Sequence, residues 1–216
     1  MITDEFTKRF FSSIILIPVV IFIIIEGSFL FIFFVLLSLI IATYEWFKMS
    51  KSDIQKILGL FFLIISFYSF FKIRNDFNQD YFHILFVAII CVSTDIGGYV
   101  FGKFFKGPKL TKLSPNKTYS GVIGSFLFPI IIINLFFEFS LNIHNFGFTK
   151  ETFILVIIIS FISQLGDIVI SFFKRLSNIK DTGNIIPGHG GILDRIDGMI
   201  FAYPFSYLIF SNWNFQ

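Results

Sequence analysis

Residues 163–198 read SQLGDIVISFFKRLSNIKDTGNIIPGHGGILDRIDG. The stretch starts inside an apolar run, leaves it through Lys174, Arg175, Lys180 and Asp181, and ends in Asp194, Arg195 and Asp197 behind a Pro-Gly-His-Gly-Gly turn. Charge beside apolar sequence of this kind is costly, so it points to chemistry before anchoring. A helix that carries polar groups down to its own exit also sets the fold class, which is helices in a membrane with the working groups at one end.

The rest of the composition agrees with that reading. The chain has 216 residues, of which 55% are hydrophobic and 14% charged, with a mean hydropathy of +0.82. A soluble domain carries less apolar surface. The expectation is an all-α polytopic membrane protein forming a single catalytic domain over residues 1–216. Net charge is +3, and the Lys and Arg residues sit in a few loops between apolar runs, a pattern of membrane orientation that excludes a nucleic-acid footprint. The lone cysteine, Cys91, allows neither an intramolecular disulfide nor a Cys-based metal cluster.

Apolar runs predict about seven spans. The first, Phe10–Ile25, follows Lys8 and Arg9 and lacks a small-residue cleavage site, so it reads as a retained span and not a signal peptide. A turn at Glu26, Gly27 and Ser28 leads to a second span, Phe29–Phe47, whose end carries Tyr44, Glu45 and Trp46 as an interfacial cluster. The third, Ile57–Phe71, is short against the roughly 20 residues a bilayer asks for. Tyr81–Phe101, Tyr119–Phe139 and Phe153–Phe173 follow, and a short seventh runs from Gly198 to Trp213. With the amino terminus inside, every basic residue except Lys72, Arg74 and Lys150 falls on one side, which the positive-inside rule makes cytoplasmic. The two long charged loops then face the compartment that holds soluble nucleotides, and the active site is expected at the cytoplasmic end of the bundle.

Within the sixth span, Ser163, Asp167, Ser171 and Lys174 recur at helical spacing and form one polar stripe. Such a stripe can be an interhelical hydrogen-bond seam or part of a site. The loop after it argues for a site. Gly188, Gly190 and Gly191 let the backbone turn tightly and offer N–H groups to an anion, and His189 adds a side-chain donor. Asp194 and Asp197 stand at i and i+3, a placement that suits Mg²⁺, which takes few protein oxygens and fills its shell with water and phosphate. The competing reading is a glycine-rich interfacial turn with Asp194 as a cap. A second constellation comes from the fourth span, where Asp95 and Tyr99 precede a lysine-rich loop. Most of those lysines suit a headgroup or topogenic role, whereas Lys117, after the turn Ser114-Pro115-Asn116, is placed to bind phosphate at the mouth of the fifth span.

Several of these segments together resemble a known family. Ser171-Phe-Phe-Lys174-Arg175, then Lys180-Asp181, then Pro187-Gly-His-Gly-Gly191-Ile-Leu-Asp194-Arg195-Ile-Asp197 is similar to the signature of the phosphatidate cytidylyltransferases, or CDP-diacylglycerol synthases. Asp95-Ile-Gly-Gly-Tyr99, Leu113-Ser-Pro-Asn-Lys117-Thr and Ser163-Gln-Leu-Gly-Asp167 are similar to further blocks of that family, so the resemblance spans most of the chain. Two departures stand out. Ile170 occupies the place of a glutamate before Ser171, and the chain is short by about one apolar hairpin.

The resemblance implies transfer of CMP from CTP to phosphatidic acid in the bilayer, giving CDP-diacylglycerol and pyrophosphate in phospholipid biosynthesis. It implies catalytic roles for Asp167, Asp194, Asp197 and Lys174, with Asp167 and Asp194 as metal ligands. Substrate contacts fall to Asp95, Lys117, Ser163, Ser171, Arg175, Lys180, Gly188, His189, Gly190, Gly191 and Arg195. It further implies Mg²⁺, room for a second cation such as K⁺, contact with membrane lipids, a bacterial inner membrane, and compatibility with a homodimer. Two other readings stay open at this stage. A related enzyme could use CTP on a polyprenol or an ether lipid, and a transporter could use Asp95, Asp167 and Asp194 as ion ligands. Gathering of charge on one side, away from the midplane where transporter sites lie, weighs against the second.

Overall fold

Helix α1 (Ile2–Glu26) turns at Gly27 into α2 (Ser28–Met49), and α3 (Asp53–Asp76) follows a short loop. Three more long helices come next, α4 (Phe82–Phe105), α5 (Tyr119–Ser140) and α6 (Lys150–Leu176); α7 (Leu193–Ile196) is a single turn, and α8 (Met199–Asn212) is last. The computed structural model describes residues 2–77, 81–109, 117–140, 148–186, 188 and 190–212. Among these residues the only extended pairings are isolated bridges, Lys109 with Thr118 and Ile186 with Gly190.

The chain is an integral membrane protein by the length and apolarity of its helices. Among the described residues five segments suffice to cross a bilayer: α2, α3, α4, Tyr119–Glu138 of α5, and α6. The apolar part of α1, Ile14–Glu26, and the 14-residue α8 are shorter. The third span is longer than its sequence suggests, 24 residues in place of about fifteen. A capping box moves its start outward: Ser52 accepts from the Gln55 N–H while the Gln55 side chain returns to the Ser52 N–H. At the other end Arg74 is sheltered by donating to the Ile24 and Ile25 carbonyls (2.9 and 3.1 Å), the orphan acceptors at the end of α1. The charged residues that flank the expected span, Lys56 and Lys72, therefore lie inside the helix, as does Arg74.

Two compact units make up the chain, and α6 contributes to both: Met1–Tyr81 with Phe172–Asp197, and Phe82–Ser171 with Gly198–Gln216. In the first unit α2 buries Phe31, Val35, Ser38, Ala42, Glu45, Trp46 and Met49, a stripe at the helical period. Trp46 ends that stripe. Its indole N–H donates to the Gln55 carbonyl at 3.0 Å, its ring lies where a Gly59 side chain would stand, and its edge packs on Phe173. The Ser177 hydroxyl donates to the Met49 carbonyl close by. The end of α2 thus holds the end of α6 and the start of the loop beyond it.

Small residues set the contacts of the second unit. A Cβ on Gly97 would stand 2.4 Å from the Gly124 carbonyl, and one on Gly121 2.8 Å from that of Gly98, so α4 and α5 pack backbone against backbone. Thr94 of α4 donates to Ser160 of α6 at 3.0 Å, and the Tyr203 hydroxyl of α8 donates to the Ile84 carbonyl of α4. Pairing of this kind offsets the cost of burying polar groups in a membrane helix.

Candidate active site

In the first unit the segment after α6 folds around Asp194. Gly188 and Gly190 both take positive φ (75° and 86°), and the Ile186 N–H reaches the Gly190 carbonyl at 2.9 Å, closing a tight turn that only glycines allow. The turn delivers the Gly191 N–H to Asp194 Oδ2 (3.0 Å), which also accepts from the Thr182 N–H (2.7 Å) and the Thr182 hydroxyl (3.0 Å). Lys174, at the end of α6, donates to Asp194 Oδ1 at 2.9 Å and lies 3.9 Å from Asp197 Oδ2. The single turn α7 is what lets one ammonium reach both carboxylates, as their i, i+3 spacing predicts. Asp194 is 9% exposed. Burial works to raise its pKa, but the Gly191 N–H, the Lys174 ammonium and the Thr182 N–H outweigh it and hold the carboxyl below its usual range.

One member of this cluster lies outside the expected set. Glu45 of α2, 1% exposed, accepts from the Ile192 N–H (3.0 Å) and the Leu193 N–H (2.8 Å), and lies 3.0 Å from the Thr182 hydroxyl, whose single proton it shares with Asp194. It does not belong to an interfacial cluster: of the three neighbours read that way, only Tyr44 is exposed. The available signal was an acid inside an otherwise uncharged apolar run, which by default marks function.

In the second unit Lys117 and Asp167 form an ion pair, Nζ to Oδ2 at 2.5 Å, each side chain 27% exposed. Ser171 donates to Asp167 Oδ1 at 3.3 Å, one turn along α6. Lys117 is held at the mouth of α5 because the Tyr119 N–H bonds the Pro108 carbonyl, Thr118 bridges to Lys109, and the Thr118 hydroxyl accepts from the Gly121 N–H. Ser163 is fully buried against Gly198, and its hydroxyl, like the Gln164 side-chain nitrogen, finds no hydrogen-bond partner among the described residues.

Of the expected site residues, Lys174, Asp194, Asp197, Gly190 and Gly191 come together in one unit, and Lys117, Asp167 and Ser171 in the other. Asp95, Arg175, Lys180 and Arg195 are exposed, Arg175 donating to the Ile179 carbonyl. His189 lies outside the described residues, as do Pro187 and the turn before Lys117. Ile170, where the resemblance expects an acid, is 2% exposed.

The model of the family described as "Cytidylyltransferase family" matches residues 52–213, three quarters of the chain and all of both clusters except Glu45. The chain belongs to the cytidylyltransferase family. Its relatives include the phosphatidate cytidylyltransferase of Rickettsia bellii, 35% identical over 206 residues that cover 93% of this chain and 89% of that protein. The enzyme of the same name from Bacillus subtilis is 35% identical over 154 residues, 70% of this chain and 56% of that protein. That from Staphylococcus haemolyticus is 40% identical over 152 residues, 68% of this chain and 55% of that protein. The shortness of this chain relative to some family members is thus shared with its Rickettsia relative, which it matches over nearly the whole length.

Family membership makes Mg²⁺ the metal to test against the donor set. No group of three or more His, Cys, Asp or Glu side chains gathers among the described residues, which leaves the few carboxylate oxygens that Mg²⁺ typically takes. Asp167 and Asp194 each face an ammonium group, which a hard cation would displace as the carboxylate's counter-charge. Asp167 has acceptor capacity to spare. Asp194 Oδ2 faces Thr182 and the Gly191 N–H and Oδ1 the Lys174 ammonium, so entry of Oδ2 into a metal shell requires Thr182 to move, while Oδ1 keeps a lone pair beside Lys174. The residues fit the ion on those terms.

Proposed function

We propose that this chain is a membrane enzyme that transfers CMP from CTP to phosphatidic acid, releasing pyrophosphate and forming CDP-diacylglycerol for phospholipid synthesis. The observation that carries the reading is likeness to enzymes of that name over 93% of the chain, including every segment that builds the two carboxylate clusters. In the reaction a phosphate oxygen of the lipid attacks the α-phosphorus of CTP. A new P–O bond forms as the α–β phosphoanhydride bond breaks, and the electron pair leaves with pyrophosphate.

Such a transfer depends on placing two anions in line and neutralising them, with no need for a protein nucleophile. Lys117 and Lys174 are the cations already seated on carboxylates, able to pass to phosphate oxygens when substrate arrives. Arg175, Lys180 and Arg195 are exposed cations for the triphosphate or the lipid phosphate, and Asp95, Ser171, Gly188, His189 and Gly190 complete the substrate contacts, whereas buried Ser163 and Gly191, whose N–H is given to Asp194, support the site from within. Asp167 and Asp194, each in its own cluster, would offer carboxylates to Mg²⁺, with Asp197 next to Asp194. Bound there, the ion supplies charge neutralisation on the triphosphate.

The seven apolar helices, α1–α6 and α8, would all cross or enter a bacterial inner membrane, with α1 and α8 the short ones. The basic loops and both clusters would face the cytoplasm, where CTP is, while phosphatidic acid keeps its acyl chains in the bilayer. Purified protein given Mg²⁺, CTP and phosphatidate tests this by release of pyrophosphate and appearance of CDP-diacylglycerol. Parallel reactions with a polyprenyl phosphate and an ether-linked acceptor decide the lipid; a preference for either would overturn the phosphatidate assignment.

A further inference from the structure

We infer that Glu45 is a positioning residue for this reaction: through Thr182 and the Ile192 and Leu193 amides it fixes the glycine turn and the direction of the Asp194 carboxylate. It lies seven residues ahead of the segment the family model matches, and nothing in the signature of residues 163–198 contains it. The inference rests on the proposed roles of Asp194 and the turn.

Three donors converge on its two oxygens. Ile192 N–H reaches Oε1, while Leu193 N–H and the Thr182 hydroxyl reach Oε2. Thr182 is the shared element, because its hydroxyl also stands 3.0 Å from Asp194 Oδ2 and its N–H 2.7 Å from the same atom. The chain of contacts from α2 to Asp194 is therefore one side chain long. Two glycines close on the carboxylate: a Cβ on Gly191 would stand 2.4 Å from Oε2, and one on Gly183 2.7 Å from Oε1. A group of that size and acceptor count is thus specified. Glu45 itself, 1% exposed, is out of reach of a soluble substrate, so it acts through its neighbours.

Glutamine keeps the shape but has one acceptor and one donor group, which leaves a donor of the loop facing a donor. Aspartate keeps both acceptors and shortens the reach by one methylene. The full-length protein in detergent micelles, with Mg²⁺, CTP and phosphatidate, is the system to use. Glu45→Gln should lower kcat about 10- to 100-fold, the scale of a small misplacement of reacting groups. The KM values should stay within about threefold, since the exposed cations that meet substrate are untouched. Glu45→Asp should recover part of kcat. Hydrogen exchange supplies a readout independent of activity: peptides spanning 182–194 should exchange at least about tenfold faster in Glu45→Gln, with peptides of α4 and α5 unchanged.

Wild-type kcat per folded molecule in Glu45→Gln would overturn the inference, as would a loss of kcat without faster exchange in 182–194. Faster exchange spread evenly over all helices would make Glu45 merely structural and also overturn it. An inactive wild type would refute the functional reading instead, and the exchange pattern alone would then decide whether Glu45 holds the loop.

Discussion

Replacing Asp194 by asparagine separates the stability of the loop from its chemistry. The carboxylate takes four donors, Lys174 on Oδ1 and the Gly191 N–H, Thr182 N–H and Thr182 hydroxyl on Oδ2. Asparagine turned with its oxygen toward the three Oδ2 donors keeps those bonds and sets its NH₂ against the Lys174 ammonium. The charge-assisted bond to Lys174 is lost, about 1.5–3 kcal/mol for a hydrogen bond to a charged group. The upper figure applies here because both groups are 9% exposed and breaking a buried pair strands its partner. The expected result is a protein that still folds, with a melting temperature several degrees lower, and with CDP-diacylglycerol formation reduced beyond detection. The assay pairs a thermal melt in detergent with incorporation of radiolabelled CTP into lipid. Activity within twofold of wild type would refute the assignment of Asp194, and an unchanged melt would refute the pairing with Lys174.

Three further outcomes follow from the same contacts. Lys117→Ala should leave the melt nearly unchanged, because the pair with Asp167 is about a quarter exposed and such pairs contribute roughly 0–1 kcal/mol, yet it should remove most activity; retention of full activity would exclude Lys117 from phosphate binding. The folded-state pKa of Asp194 is lowered, so its stabilisation is complete above the ordinary carboxylate pKa of about 3.9 and is lost as pH falls through the lower folded value; a melt series from pH 6 to pH 3 should therefore show a steeper acid loss for wild type than for Asp194→Asn. Gly27→Ala should destabilise without changing kcat, because φ is 68° there and a Cβ would stand 2.1 Å from the Arg74 guanidinium, at the end of α3 remote in sequence from the site residues.

Local spacing makes much of this legible in the sequence. The stripe Ser163, Asp167, Ser171 and Lys174 follows from the helical period alone, and the Ser171 to Asp167 bond has the expected i, i+4 form. The same holds for Asp194 and Asp197, which one ammonium reaches across a single helical turn. Glu45 was hidden because its partners stand 137 to 148 residues further on. Beside Tyr44 and Trp46 it has the composition of a headgroup belt, and only tertiary packing shows that Trp46 and Glu45 point inward. Span length failed for a related reason: Lys56 and Lys72 read as helix ends, but a capping box before the one and the α1 carbonyls that take Arg74 after the other satisfy the polar groups there. The fate of the turn's amides was equally illegible, since Gly191, Ile192 and Leu193 give theirs to Asp194 and Glu45.

The central claim is tested most directly by following label from CTP into lipid with purified protein, in the presence and absence of Mg²⁺. Cytidine-labelled CTP should yield labelled CDP-diacylglycerol and one pyrophosphate per lipid, only when phosphatidate and the metal ion are both present. Label that stays in the aqueous phase under those conditions, or transfer that proceeds at the same rate without a divalent cation, would contradict the claim.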